Sequence, residues 1–459
     1  MPTLEMADGA LRVTYPNSYI VPPPRPGAAQ RRGVSGALLD AFAAQRLVLV
    51  EPFELAPANQ AGVSAGLKRP PRRTAKVQIE LDLPEDQDAV VMLEQDGFFS
   101  WRLPHENESA PKTLPRVVRF KMDVIGRVQA YVLKFASRFV PGAVMSFLER
   151  HTNAGLVLMK GLDVKRWQGL DNLGQVPLPQ DRSARILLFV HGTFSSTVGS
   201  YGMLTSTPEG KRFLKAAGLS YYAVVGFDHR TLSRDPLENA TDLQSRLKAQ
   251  HLTFTPRVDI VSYSRGALVA RSLIEYLLPS STWPMDIGKV VFVAGTNAGT
   301  LLAEPDNWRH LLDLYTNLAA DTMRSIERLT GPTPAPQMTN GMVTGIGPFL
   351  RCLVLFSPKG RLLPGLIPGL AAMRPDGPFI NGINATQPGQ PAPGTPWYVI
   401  SSDFEPAPAG GAQQPGEQPA LALKLADDLA DRLMGTKNDL VVDTASMASV
   451  DLPSGGGFI

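Results

Sequence analysis

Residues Val258 to Arg271, VDIVSYSRGALVAR, constrain the fold more than any other stretch of the chain. An apolar run (Val258, Ile260, Val261) leads through Ser262-Tyr263-Ser264-Arg265-Gly266 into Ala267-Leu268-Val269-Ala270, which opens a helical pattern with no breaker in between. A strand that passes straight into a helix needs a very tight turn. The residues two before and two after its tip must then be small, and Ser262 and Gly266 are. Ser264 occupies the tip. Its hydroxyl is expected to project above the edge of a sheet, with the free N–H groups and positive dipole end of the helix behind it. A buried strand-turn-helix of no special chemistry also satisfies so short a pattern, and the flanking chain has to separate the two readings.

The flanking chain repeats strand and helix from Arg185 onward. ILLFV (186–190), LSYYAVVGFD (219–228), VDIVSYS, KVVFVAG (289–295) and WYVISS (397–402) are apolar runs of strand length, and Asp235 to Gln250 reads as a helix between the second and third. Continuous apolar strands separated by crossovers call for a mostly parallel sheet covered by helices, with ligands at the carboxyl ends of the strands, where Ser264 falls. Upstream the period is two: KVQIELDLP, AVVMLEQDGFFSWRLP and RVVRFKMDV read as strands, and Asp96-Gly97 is a hairpin signal. Residues 1–124 are therefore expected to form a small β-rich module with Pro-rich connectors, and its basic segment Lys68 to Arg73 reads as a solvated linker. Residues 125–184 read as a helical connector. Within it, residues 126–150 are apolar at helical spacing, divided by Pro141-Gly142, and two readings stand: a helix packed between domains, or a basic amphipathic helix on a membrane surface. Residues 185–459 form the third unit, in which 301–384 would be a helical cap or lid.

Composition closes several alternatives. Lysine and arginine exceed the acidic residues by only 3, so no general attraction to nucleic acid is implied. The single cysteine, Cys352, rules out an intramolecular disulfide or a cysteine-based metal cluster. The N-terminal MPTLEMADGALRVTYP has neither a basic cap nor an apolar core, and no run of about 18 apolar residues occurs. A cytoplasmic location is the expectation.

The first strand of the third unit ends in His191-Gly192-Thr193-Phe194. A loop with free N–H groups at that point, opposite a serine at a strand-helix tip, supplies what an oxyanion hole needs; here the donors would be the N–H groups of Thr193 and Arg265. With S-x-S-x-G in the place of G-x-S-x-G, and with this V-H-G loop, residues 185 to 447 resemble the α/β-hydrolase superfamily in its lipase and esterase branch. The segment VVFVAGTNAGT (290–300) is similar to the strand and site-lining loop that follow the nucleophile helix there, and MRPDGPFINGIN (373–384) is similar to the segment that closes the lid. The resemblance implies a Ser264 nucleophile acting on carboxylic esters of acyl or lipid type, with no metal and no cofactor. LLPGLIPGLAAM (362–373) would be either a lid exposing apolar surface to lipid or a cap packed over the site.

In the family order the acid follows the serine and the histidine comes last. Asp439, in KNDLVVDTASM, resembles the family's N-D-G segment although Leu440 replaces the glycine; Asp403 is the alternative acid and Asp228 a third candidate. The histidines are His105, His151, His191, His229, His251 and His310, and none follows Asp439. His229 is a weak candidate base. The expected source is therefore a segment beyond Ile459 or a second chain. The competing reading is a catalytically silent hydrolase-fold binding or scaffold module, since a serine without a base is a poor nucleophile near neutral pH.

Overall fold

A computed structural model of the chain describes residues 1–22, 34–58, 74–104, 116–137, 149, 153–177, 179, 184–248, 255–282, 285–330, 336–356, 364–385, 396–403, 434 and 437–450. The basic segment 68–73, Pro141-Gly142, the insertion 406–419 and most of the expected helix 420–434 lie outside these residues.

The first nine strands are β1 (Thr3–Met6), β2 (Leu11–Thr14), β3 (Tyr19–Ile20), β4 (Val48–Pro57), β5 (Ala75–Leu83), β6 (Gln87–Gln95), β7 (Phe98–Arg102), β8 (Arg116–Val124) and β9 (Val128–Ala136). They form two antiparallel sheets, ordered β1-β2-β5-β8 and β3-β4-β9-β6-β7. Asp96 and Gly97, both at positive φ, make the two-residue turn between β6 and β7, as the Asp-Gly pair leads one to expect. The two sheets close on a core of Val77, Ile79, Val91, Phe120, Val128, Ala130 and Val132.

The helical connector is corrected at its start. Residues 128–136 form β9, a central strand with β4 on one side and β6 on the other. Both faces are covered. Val128, Ala130 and Val132 enter the core between the sheets, while Tyr131, Leu133 and Phe135 enter a second core built with the helices Val34–Ala44 and Trp308–Thr330. A strand buried on both sides is apolar almost throughout, and periodicity alone cannot tell that from a buried helix. A membrane-surface role for a helix at 128–136 falls with it, and residues 138–148 lie outside the description.

The remaining strands are β10 (Gly155–Leu158), β11 (Gln168–Leu170), β12 (Arg185–Val190), β13 (Ala223–Asp228), β14 (Arg257–Tyr263), β15 (Asp286–Val293) and β16 (Trp397–Ile400). They make one sheet in the order β11-β10-β13-β12-β14-β15-β16. The expectation of a mostly parallel sheet is not met. The sheet is mixed, because two segments of the supposed connector, β10 and β11, add to its β13 edge in antiparallel fashion, and antiparallel pairing predominates over the described chain. The pairings from β13 through β16 are parallel. From β12 the chain moves to β13 on one side and then returns to β14 on the other, so the strand order reverses at the carboxyl end of β12. Crevices for ligands open at such a point.

The helix Trp308–Thr330 is fastened to the N-terminal sheets. β7 is an edge strand, and helix Trp308–Thr330 satisfies its open side: Phe99 N–H donates to Asn317 Oδ1 (2.8 Å), Asn317 Nδ2 donates to Phe99 O (2.7 Å), and Trp101 N–H donates to Asp313 Oδ1 (2.7 Å). Trp101 Nε1 adds a bond to Thr316 Oγ1 at 2.9 Å. Covering an edge in this way removes a row of unpaired groups that would otherwise invite aggregation. Gln45 does the same for the next helices, bonding Val343 O and Gly347 N–H. Ile367, Leu370 and Met373 of the Leu/Pro/Gly-rich stretch are buried in the same core. No described helix is long and apolar enough to cross a membrane.

Candidate active site

Ser264 follows β14 at φ +52°, the left-handed region that costs a non-glycine residue roughly 1–2 kcal/mol. Its backbone is held from the next strand. Ser264 N–H donates to Val293 O at 3.0 Å, and Ser264 O accepts from Ala267 N–H (3.0 Å) and Thr296 N–H (3.4 Å). The small residues expected around the tip are needed. A Cβ on Gly266 would lie 2.3 Å from Val190 O, and one on Gly192 would lie 2.8 Å from Ser264 Cβ. Ser262, two residues before the tip, is accommodated by a bond from its Oγ to Val291 O on β15 at 3.4 Å. Ser264 itself is buried and its Oγ makes no hydrogen bond.

The loop after β12 lies against this serine. Phe194, at φ +57°, donates its N–H to Thr231 Oγ1 at 3.3 Å, whereas among the described residues no acceptor takes the N–H of Thr193 or of Arg265. The Thr193 hydroxyl points to Met373 Sδ, 3.7 Å away. The Arg265 side chain is fully buried and ties two distant segments to the turn, donating to Arg234 O (2.6 Å) and Gly369 O (3.4 Å). Burial lowers its pKa to about 10, against the pull of Glu149, Asp235 and Glu238, so it stays charged at neutral pH. Glu149 in turn accepts the backbone N–H groups of Thr231, Leu232 and Ser233.

His191 and His229 are brought together, but with each other and not with Ser264. Their rings stack at 4.1 Å. His191 Nε2 accepts from His229 N–H at 3.2 Å, which leaves the proton on Nδ1 to donate to Gly192 O at 2.8 Å. Burial pushes both imidazoles down, His229 well below its ordinary value with His191 and Arg265 adding to the fall, so both are neutral. In the sheet Val190 pairs with Phe227 on one side and with Ser262 on the other. The positions two residues beyond those partners, His229 and Ser264, are thus two strand spacings apart, about 10 Å at the backbone. His191 follows the strand between them. His105, His151 and His251 lie outside the described residues.

Of the three acids, Asp439 is the one set near the serine's surroundings. Its carboxylate accepts Val442 N–H (2.7 Å) and Val441 N–H (3.0 Å), and Ser402 Oγ at 3.4 Å. Burial raises its pKa, partly offset by those donors, and its charge acts on Tyr263 and Tyr315. Leu440, the residue after Asp439, takes the glycine-like φ of +79°. The loop after β15 anchors this segment: Thr300 Oγ1 donates to Val441 O, Asn297 Nδ2 to Met447 O (2.8 Å) and Ser446 Oγ to Gly299 O (2.7 Å). Asp403 instead pairs with the exposed Lys437 at 2.9 Å. Asp228 accepts Thr197 N–H at 2.6 Å and lines a cavity of about 720 Å³ toward β10 whose walls do not include Ser264.

One site residue had no signal in the sequence. Tyr315, on helix Trp308–Thr330, sets its ring edge-on to Phe194 at 4.9 Å, and its hydroxyl interacts with the Ser264 and Thr193 side chains. It shares a helix face with Trp308, Leu311, Leu312 and Ala319, and reads in sequence as one more core aromatic.

A mixed α/β sheet with a serine turn at its switch point defines the class, and the comparisons give the family. Residues 154–457 match the family described as a domain of unknown function, DUF7379, and the chain belongs to it; residues 8–135 match a second, DUF7362. No curated protein matches. Among solved structures, the chain is similar to phospholipase PlaB from Legionella pneumophila (13% identity, TM-score 0.24, 32% of this chain and 35% of that one). It is similar also to lipase 1 from Pelosinus fermentans (13%, 0.37, 61% and 87%) and to a puromycin-hydrolysing peptidase from Mycobacterium tuberculosis (12%, 0.22, 86% and 53%). The chain spans about a third of the Legionella protein's length.

Proposed function

We propose that this chain is a serine hydrolase acting on carboxylic esters of acyl or lipid type through an acyl-enzyme on Ser264. The observation that carries the reading is a serine in the left-handed region whose Oγ makes no hydrogen bond, beside two N–H groups without acceptors among the described residues. In this reading Ser264 Oγ attacks the ester carbonyl carbon and its proton passes to a base. The developing oxyanion accepts from Thr193 and Arg265 N–H, each such donor being worth roughly 3–4 kcal/mol of barrier. Asp439 orients a histidine contributed from outside the described residues. Buried Phe194 and Met373 at the oxyanion loop favour an acyl chain over a polar substituent.

A second reading, a silent binding module on the same fold, is favoured by His191, whose ring nitrogens are both bonded to backbone groups, and by the spacing of His229, about 10 Å from Ser264 at the backbone. A fluorophosphonate probe separates the two. Labelling of the full chain that is lost in Ser264→Ala supports the hydrolase; absence of labelling, with lipid present and with a C-terminal fragment or partner chain added, supports the silent module. Labelling that appears only on such addition assigns the base to that second polypeptide.

A further inference from the structure

We propose that Tyr315 is a catalytic residue of this site, its phenol donating a third hydrogen bond to the oxyanion formed when Ser264 attacks. The inference rests on the reading of Ser264 as the nucleophile. Three observations carry it. The ring is braced edge-on against Phe194, the residue that follows the donor Thr193, so the hydroxyl is held relative to the oxyanion loop itself. That hydroxyl faces the side chains of both Ser264 and Thr193, the pair between which a carbonyl oxygen must lie. The helix that carries it is fixed on its other side, where Asp313, Thr316 and Asn317 bond strand β7 of the N-terminal sheets. A donor held from both sides needs no reorganisation when charge develops, and that is the condition under which such a bond lowers a barrier.

The electrostatics agree with a donor and not a base. Burial holds the phenol at about 12, the Ser264 and Asp439 neighbours acting in opposite directions, so the O–H is intact across the physiological range. In the step itself the Ser264 Oγ–carbon bond forms, the carbonyl π pair moves onto oxygen, and the serine proton goes to an imidazole base. Tyr315 keeps its proton throughout. With a fluorophosphonate the same geometry applies: an Oγ–phosphorus bond forms, fluoride leaves, and the charge on the phosphoryl oxygen is the one the phenol would meet.

The test compares second-order fluorophosphonate labelling rates of the full chain and of Tyr315→Phe, which keeps the ring on Phe194, with matched thermal unfolding as the fold control. The expected result is a rate lower by about 100-fold, the usual loss for one oxyanion donor, and on a p-nitrophenyl acyl ester a fall in kcat with KM unchanged. Equal labelling of the two proteins would overturn the role of Tyr315 and leave the serine reading intact. No labelling of the parent chain under any of the conditions above would overturn both. If Tyr315→Phe unfolds, Thr316→Val supplies the second measurement. It breaks the bond from Trp101 while leaving the phenol, and a labelling loss as large as that of a Ser264→Ala control would mean that the helix acts only through stability.

Discussion

Two polar clusters sit side by side at the carboxyl edge of the central sheet, and they are bonded in opposite ways. At the end of β14, Ser264 is strained, its Oγ is unbonded, and the neighbouring N–H donors have no acceptors among the described residues. At the ends of β12 and β13, His191 uses both ring nitrogens on backbone groups, His229 stacks between the rings of His191 and Phe227, and burial keeps both neutral. Residue type alone would rank the histidines as the more reactive pair. Bonding and placement reverse the ranking: His191 has spent both ring nitrogens on backbone groups, and the unpartnered Nε2 of His229 belongs to a residue two strand spacings from the serine, whereas Ser264 Oγ is held unbonded beside the N–H donors.

The comparison can be broken most severely at the turn itself. Gly266→Ala would put a Cβ 2.3 Å from Val190 O, a backbone atom that cannot yield without moving β12. A loss of about 3 kcal/mol in denaturant titration, together with loss of probe labelling, is the expected outcome. A variant that folds and labels like the parent would show that the turn is not tight. Next in size is Asp439→Asn, which keeps an oxygen for Val441 and Val442 N–H and should therefore fold. Ester turnover should fall by about 10³- to 10⁴-fold, the cost of disorienting a catalytic histidine. Asp403→Asn, which loses a pair with an exposed lysine, should cost less than about 1 kcal/mol and leave turnover unchanged. The opposite ranking would move the acid role to Asp403.

The smallest effect tests the histidine side. His229→Phe preserves the stack and removes an Nε2 that has no partner, so stability at pH 7.5 should change by less than about 1.5 kcal/mol and labelling should persist. Labelling reduced to the Ser264→Ala level would make His229 the base and erase the contrast. The pH dependence sharpens it further. Because His229 titrates lower in the folded chain than its ordinary 6.5, the unfolded chain binds more protons below that value, and stability is present above pH 6.5 and lost as the pH falls. The slope contributed is up to about 1.4 kcal/mol per pH unit. Urea titrations at pH 7.5 and 5.5 should show that loss reduced in His229→Phe.

The legible parts of this protein were those whose signals are local. The turn at Ser264, the His-Gly end of β12, the Asp96-Gly97 hairpin and the buried strands β12 to β16 each depend on residues a few positions apart, where sterics and burial leave their mark directly on residue type. The helix read from Asp235 begins there in the structure, where Asp235 and Glu238 form a capping box. What failed did so because its cause lies far along the chain. Residues 128–136 read as a helix because β9 is covered on one face by a sheet and on the other by the helices Val34–Ala44 and Trp308–Thr330, far away on either side in the chain, so no polar face remains to show a period of two. The antiparallel edge of β10 and β11 was read as connector because strands so short leave little pattern.

The sequence by itself determined that Ser264 stands at a strand-to-helix tip with small residues around it, since no larger residue fits and no other conformation joins those two elements so directly. Only the tertiary structure decided what surrounds that serine. Burial stacked the two histidines on each other, the loop after β15 anchored the segment that carries Asp439, and the N-terminal sheets, by holding helix Trp308–Thr330 along the edge of β7, set Tyr315 against Phe194 and Ser264. These are long-range contacts, and each depends on which surfaces the packed core leaves facing one another, a property that no short window of residues contains.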